Sequence, residues 1–223
     1  MFLNLNATPS NKPRFLGELS NVSPAEIALS EFKYRAGAEV FGEAEPAEYI
    51  YQVIDGAVRS YKLLSDGRRQ IGAFHLVDDI FGLENGGVHR FTAEAIVDTS
   101  VRLVKRVSLA QVAESDASVA RDLLNMTATN LKHAEDHMLL LGRKTSLERV
   151  AAFLLEMDHR LTATGVMALP MCRRDIADYL GLTLETVSRA LSILQSQGIL
   201  GFLGQTQRQI VLLDRPKLAE LDL

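Results

Sequence analysis

Hydrophobic positions change period near Ser108, which divides the chain into a strand-forming half and a helix-forming half. Between Glu31 and Lys105, short runs of β-branched and aromatic residues alternate with polar ones: Tyr49-Ile-Tyr-Gln-Val-Ile54, Ala57-Val-Arg-Ser-Tyr-Lys-Leu-Leu64 and Arg69-Gln-Ile-Gly-Ala-Phe74. A period of two sends alternate side chains to opposite faces of a sheet. Asp55-Gly56 and Asp66-Gly67 supply hairpin turns. Many short strands joined by such turns predict a jelly roll or barrel.

Beyond Ser108 the spacing becomes three and four. After Ser115-Asp-Ala-Ser, a long amphipathic run from Val119 to Leu141 carries a seam of Leu124, Thr127, Leu131, Ala134 and Met138. Leu123, Met126, Asn130, His137 and Leu141 form a neighbouring stripe. A helix with two partly apolar faces can pack on its own barrel and on a partner at once, in a parallel two-fold coiled coil. Burial within a monomer is the alternative. Gly142-Arg-Lys-Thr145 interrupts the run as a hinge, a helix follows from Ser146 to Met157, and His159 to Gly165 read as a surface loop.

The stretch from Leu169 to Gln197 holds two helices of matched pattern. Ile176, Ala177 and Leu180 share one face of the first, Gly181 ends it, and Thr183 caps a second whose Val187, Leu191 and Leu194 face inward. Leu184, Glu185, Ser188 and Arg189 then point outward near the N-terminus of the second helix, where a recognition helix meets base edges. Arginine bonds guanine bidentately and glutamate accepts from cytosine N4. The bland alternative is a helical hairpin with Glu185 and Arg189 as a solvated i, i+4 pair. Gly198 to Leu213 reads as two short strands around Gly204-Gln205, and a helix-turn-helix followed by such a hairpin is a winged helix.

The fold class expected is α+β: a β jelly roll, a long helix suited to dimerisation or to burial within a monomer, and a C-terminal winged helix-turn-helix. The expected domains are a flexible arm over 1–14, a barrel over 15–107, the dimerisation helix over 108–142 and the DNA-binding domain over 143–223. Among the 223 residues, 47% are hydrophobic and 23% charged, the make-up of an ordinary globular protein. A net charge of −4 does not advertise nucleic-acid binding, yet Arg173, Arg174, Arg189 and Arg208 gather in the last module, and local charge is what matters. Without a signal peptide or a membrane-length apolar run, the expected location is the cytoplasm. The chain shows no nucleophile–base pair, phosphate loop or metal triad, so an enzyme is not expected.

Glu185-Thr-Val-Ser-Arg189, followed by the wing, resembles the recognition signature of the Crp/Fnr superfamily of transcription regulators. The likeness runs from about Phe15 to Asp214 and is strongest to the FixK branch. It implies a cyclic-nucleotide-binding-like barrel and a homodimer on the long helix. It also implies double-stranded DNA with TTGA and TCAA half-sites as the target. Arg189 would contact guanine, Glu185 its cytosine or a neighbouring amine, Ser188 a thymine or adenine edge, and Leu184 a thymine methyl. Thr183, Arg173 and Arg174 would hold phosphates. Lys62 to Arg69 and His159 to Val166 match regions through which relatives touch RNA polymerase, and the branch acts in low-oxygen gene expression.

Cofactors are not expected. Nucleotide-binding relatives hold the phosphate with a Gly-Glu-Leu turn and an Arg-Ser pair, whereas Gly82 and Glu84 stand out of order here, His89 and Arg90 replace the pair, and Glu94 would repel a phosphate. The reading is a filled barrel. An iron–sulfur cluster needs several thiolates, and the sole cysteine is Cys172. His75 and His89 read as structural residues in preference to haem ligands. His133 and His137, at i, i+4 without a third ligand, read as solvated or seam side chains and not as a metal site. Ala134 stands where some cluster-dependent relatives carry a carboxylate, so dimerisation without an effector is expected.

Cys172 adjoins Arg173 and Arg174 at the start of the first helix of the motif. Guanidinium groups and helix N–H dipoles favour a reactive thiolate, and oxidation there would place negative charge beside a DNA phosphate. An inert, packed thiol is the alternative. The FixK likeness raises the reactive reading, because a cysteine occupies this place in a relative.

Overall fold

The computed structural model describes residues 29–222 except 85 and 205. The arm expected over 1–14 lies outside the described residues. Eight strands follow in chain order: β1 (Ser30–Tyr34), β2 (Glu39–Phe41), β3 (Tyr49–Asp55), β4 (Val58–Leu63), β5 (Arg69–His75), β6 (Ile80–Phe81), β7 (Thr92–Ala95) and β8 (Thr99–Lys105). They form two antiparallel sheets, in the orders β1-β8-β3-β6 and β2-β7-β4-β5. Phe41, Tyr51, Val53, Val58, Phe81, Ala93 and Val101 fill the space between them.

Gly56 makes the β3–β4 turn. Its φ is +88°, and an added Cβ would fall 2.5 Å from the Asp98 carbonyl oxygen, so only glycine fits.

Helix α1 (Arg106–Ser115) and the long helix α2 (Ala117–Arg143) follow. Asp116 separates them, its carboxylate accepting from the Ser118 N–H at 2.8 Å as an N-cap. Ile50, Val104, Leu109, Val112, Val119 and Met126 bury the first half of α2 against α1 and the barrel. The helix runs through Gly142, and the break falls at Lys144 and Thr145. One glycine costs about 1 kcal/mol in a helix, whereas the Thr145–Glu148 capping box actively starts the next one, α3 (Ser146–Leu161).

The expected loop from His159 to Gly165 is a correction. Helix α3 extends to Leu161 and passes into a hairpin of β9 (Thr162–Ala163) and β10 (Val166–Ala168), turned at Thr164 and Gly165 with positive φ. Helices α4 (Arg173–Leu180) and α5 (Leu184–Ser196) come next, then β11 (Leu200–Leu203), β12 (Gln209–Leu212) and a short α6 (Arg215–Glu220). The hairpins join into one sheet, in the order β11-β12-β10-β9.

The two halves share a core. Ala57, Ile71, Phe74 and Leu76 of the barrel pack with Phe153 of α3 and Tyr179 of α4; the Phe74 and Tyr179 rings lie 5.0 Å apart.

Candidate nucleic-acid interface

Helices α4 and α5 are locked together by buried Ile176, Ala177, Leu180, Val187, Leu191 and Leu194, the face expected from their spacing. Gly181, in the left-handed conformation at φ +62°, ends α4. Thr183 caps α5, its hydroxyl accepting from the Thr186 N–H at 3.2 Å. One outer edge of α5 is left to solvent: Glu185 and Arg189 are exposed, with Leu184 and Ser188 half-buried beside them. No ion pair joins Glu185 to Arg189 among the described residues, and both side chains are exposed. Backbone hydrogen bonding at the helix start, helped by the Thr183 hydroxyl and the charge of Arg174, holds the Glu185 carboxyl below its usual range. It is thus an acceptor throughout the neutral range.

Arg173 and Arg174 diverge. Arg174 is exposed. Arg173 donates to the Ser188 hydroxyl at 3.2 Å and to the Gln207 side chain, and its guanidinium lies 5.6 Å from the Phe202 ring centre. It braces scaffold helix, recognition helix and wing.

Cys172 is half-buried at the N-cap of α4. Its Sγ donates to Asp175 Oδ2 at 3.2 Å, and its N–H donates to the same oxygen at 3.1 Å. The hydrogen-bond partner of the sulfur is this carboxylate and not an adjacent guanidinium.

On α2, the residues of the expected seam are uncovered: Leu124, Leu131 and Met138 are 67%, 58% and 65% exposed, with Thr127 and Ala134 exposed between them. Apolar side chains of this size in one line on a helix mark a surface made to be covered. His133 and His137 are not on it. His133 Nε2 meets Glu156 of α3 at 2.9 Å, and His137 stacks on Tyr179 with ring centres 4.2 Å apart. Both therefore face α3 and α4, His137 as a member of the second stripe of α2. Among the described residues, no group of three potential metal ligands occurs.

In the barrel, His89 is buried and stacked on Phe41 at 3.5 Å, while Arg90 is exposed. His89 Nδ1 also meets Glu84 at 3.2 Å, and Arg106 hydrogen-bonds to the carbonyl oxygens of Ala47, Glu84 and Gly86. Phe41 and Arg106 thereby hold the segment that corresponds to the phosphate turn of nucleotide-binding relatives. Glu94 corrects the expectation that it faces the barrel interior. Strand alternation sends Ala93 and Ala95 inward and Glu94 outward, to Arg59 of β4 at 2.5 Å.

Sequence patterns did not single out Arg59 and Arg69. They ion-pair with Asp175 and Asp178 of α4. The available signal was the i, i+3 carboxylate pair on a helix otherwise suited to DNA, a charge that needs a partner away from phosphate.

Two domain profiles match this architecture: the cyclic nucleotide-binding domain over residues 31–116 and the Crp-like helix-turn-helix domain over residues 148–221. The nitrogen fixation regulation protein FixK of Azorhizobium caulinodans is 44% identical over 194 residues, covering 85% of this chain and 77% of that protein. This chain belongs to the Crp/Fnr family, in its FixK branch. The transcriptional activatory protein AadR of Rhodopseudomonas palustris is 38% identical, covering 82% of this chain and 80% of its own. The structure of FixK2 from Bradyrhizobium japonicum superposes with a TM-score of 0.85 at 69% identity, over 88% of this chain and 98% of that one. As a Crp/Fnr protein, the chain is a DNA-binding transcription regulator and not an enzyme. Among the described residues, no helix is long and apolar enough to cross a membrane.

Proposed function

We propose that this Crp/Fnr protein is a homodimeric, cytoplasmic transcription activator of genes expressed at low oxygen, reading a palindrome of TTGA and TCAA half-sites without cyclic nucleotide or iron–sulfur cluster. The observation that carries the reading is the free edge of α5, where Glu185 and Arg189 stand exposed one turn apart on a rigidly packed helix pair. Arg189 bonds guanine O6 and N7, and Glu185 accepts from cytosine N4 or a neighbouring amine. Ser188, held by Arg173, reaches a thymine or adenine edge, and Leu184 meets a thymine methyl. Arg174, Thr183 and the outer edge of Arg173 take phosphates. The seam from Leu124 to Met138 pairs two copies, setting two recognition helices about one DNA turn apart, roughly 34 Å.

The likeness to a nitrogen fixation regulation protein and to a transcriptional activatory protein supports the physiological part of this reading. RNA polymerase is the partner we assign to the exposed turn between β4 and β5, which begins beside Leu63 at the end of β4, 64% exposed, and to the β9–β10 hairpin. Cys172 acts as a redox brake: two equivalents of peroxide convert the thiol to sulfinic acid and release two waters. The resulting anion stands beside Asp175 at the end of α4 that faces the DNA backbone.

The test is affinity for the palindromic duplex against a scrambled one, at fixed salt and with no additive, before and after peroxide. Selective binding that peroxide abolishes, and that Cys172→Ala protects, is expected. Binding no better than to scrambled DNA would overturn the effector-free reading and direct the search to a ligand of the barrel.

A further inference from the structure

Asp175 is the most deeply buried charge of the helix-turn-helix, with its side chain 4% exposed. Oδ1 receives two guanidinium groups of the barrel, Arg59 at 2.8 Å from β4 and Arg69 at 2.6 Å from β5. Arg69 also donates through Nε to Asp178 Oδ2 at 2.8 Å, and Gln70 donates to the Tyr179 carbonyl at 3.3 Å. Arg59 is itself held from behind by Glu94 of β7 at 2.5 Å. An unpaired carboxylate cannot be dehydrated this far without a large cost, and the cost is offset only when both guanidinium groups are in place. Helix α4 is therefore stable against the barrel at one rotation and one height. Contacts at residues i and i+3 define both.

This clasp has a consequence for DNA. Each DNA-binding module is joined to the dimer helix by the short break at Lys144 and Thr145, which by itself leaves the module free to swing. The shared apolar core holds it to the barrel without fixing a direction, and the clasp adds directional contacts to that attachment. It grips α4 while leaving Glu185 and Arg189 of α5 exposed, so the clasped arrangement is one in which the reading edge is available. It also turns two carboxylates of the scaffold helix away from the side that meets phosphate and neutralises them.

We propose that Arg59 and Arg69 are positioning residues for DNA recognition: through Asp175 and Asp178 they fix the orientation of the recognition helix relative to the dimer axis, and so the half-site spacing the dimer accepts. The inference rests on the palindromic reading given above. Specificity for spacing then resides partly in barrel side chains that touch no nucleotide.

The experiment uses the full-length protein and three variants, Arg69→Ala, Arg69→Lys and Asp178→Asn. Affinity is measured for the palindrome and for duplexes whose spacer is lengthened or shortened by one base pair, and small-angle scattering is recorded without DNA. For Arg69→Ala the expected result is about a tenfold loss on the correctly spaced site, because fewer molecules hold the competent orientation. Its dependence on spacer length should also flatten, and its radius of gyration should rise. Arg69→Lys restores part of each effect. Asp178→Asn leaves Asp175 covered, so it remains folded even if Arg69→Ala does not; it gives the same flattening with a loss of about threefold. Unchanged spacer dependence and scattering in both folded variants would overturn the clasp. Failure of the unmodified protein to prefer the palindrome would instead overturn the reading beneath it, and scattering would still decide the clasp.

Discussion

The thiol of Cys172 donates to Oδ2 of Asp175 at 3.2 Å, on the carboxylate whose other oxygen is held by the barrel. A change of charge at residue 172 therefore acts on a buried anion first and on DNA second. Two like charges in contact are costly where little water reaches them.

Cys172→Asp places a fixed carboxylate there and is expected to lower affinity for the palindrome by more than about tenfold. Cys172→Ser keeps a neutral donor at an N-cap, where serine is favoured, and should stay within about threefold of the unmodified protein. Fluorescence anisotropy with labelled duplex measures both. Equal affinities would remove the electrostatic account of the brake.

Arg189→Ala should lose about 1–3 kcal/mol and relax discrimination at the guanine position, whereas Arg174→Ala should weaken all sequences alike and reduce the salt slope by about one. Titrations at several salt concentrations on matched and single-substituted sites separate the two behaviours. Uniform losses from both would contradict the division into base and phosphate contacts.

Leu131 lies at the middle of the uncovered seam of α2, 58% exposed in one chain. Leu131→Glu should convert the dimer into a monomer at micromolar concentration, since it removes apolar burial and opposes two charges across the two-fold axis. Sedimentation velocity reads the mass directly. A dimer of unchanged mass would move the interface elsewhere.

His75 on β5 hydrogen-bonds to Ser60 at 2.8 Å and stacks on Phe81 at 4.6 Å. Burial, aided by the charges of Arg160 and His133 and opposed by Asp79, lowers its pKa from 6.5 to about 4. The unfolded chain binds this proton more readily, so the stability from His75 is full above about pH 6.5 and is lost as pH falls towards 4. His133 has the opposite sign: its hydrogen bond to Glu156 raises its pKa, and its contribution is full below 6.5 and is lost as pH rises through the folded value. In melts between pH 7.5 and pH 5, His75→Gln should flatten the acid-side loss, which is at most about 1.4 kcal/mol per pH unit for one proton. His133→Gln should remove stability chiefly at the acid end. Parallel curves for both variants would show that neither imidazole is linked to folding.

Much of the fold was legible because local patterns carry it. Strand alternation in residues 49–74, the glycine turns at Gly56 and Gly67, and the inward face of α4 and α5 all follow from backbone geometry and from which positions are apolar. The capping of α5 by Thr183 follows in the same way. Where expectation and structure part, a local competition was decided by a stronger partner. The Thr145 capping box outweighs the breaking tendency of Gly142, and pairing with β10 turns an expected loop into a hairpin.

The chain by itself determined the strands of residues 49–74, the long helix, the helix pair with its exposed edge on α5, and the apolar seam of α2, since each depends on spacing within one segment. Only the tertiary structure decided that Glu94 faces out to Arg59, that His133 and His137 turn inward, and that Asp175 joins Cys172 to Arg59 and Arg69. Apart from the local Cys172–Asp175 contact, these link residues far apart in the chain, some by more than a hundred positions, as Arg69 and Asp175 are. A charge in a sequence names what it needs, but not which distant segment supplies it. That choice is made when two packed surfaces exclude water and every buried charge must find its partner within hydrogen-bonding distance.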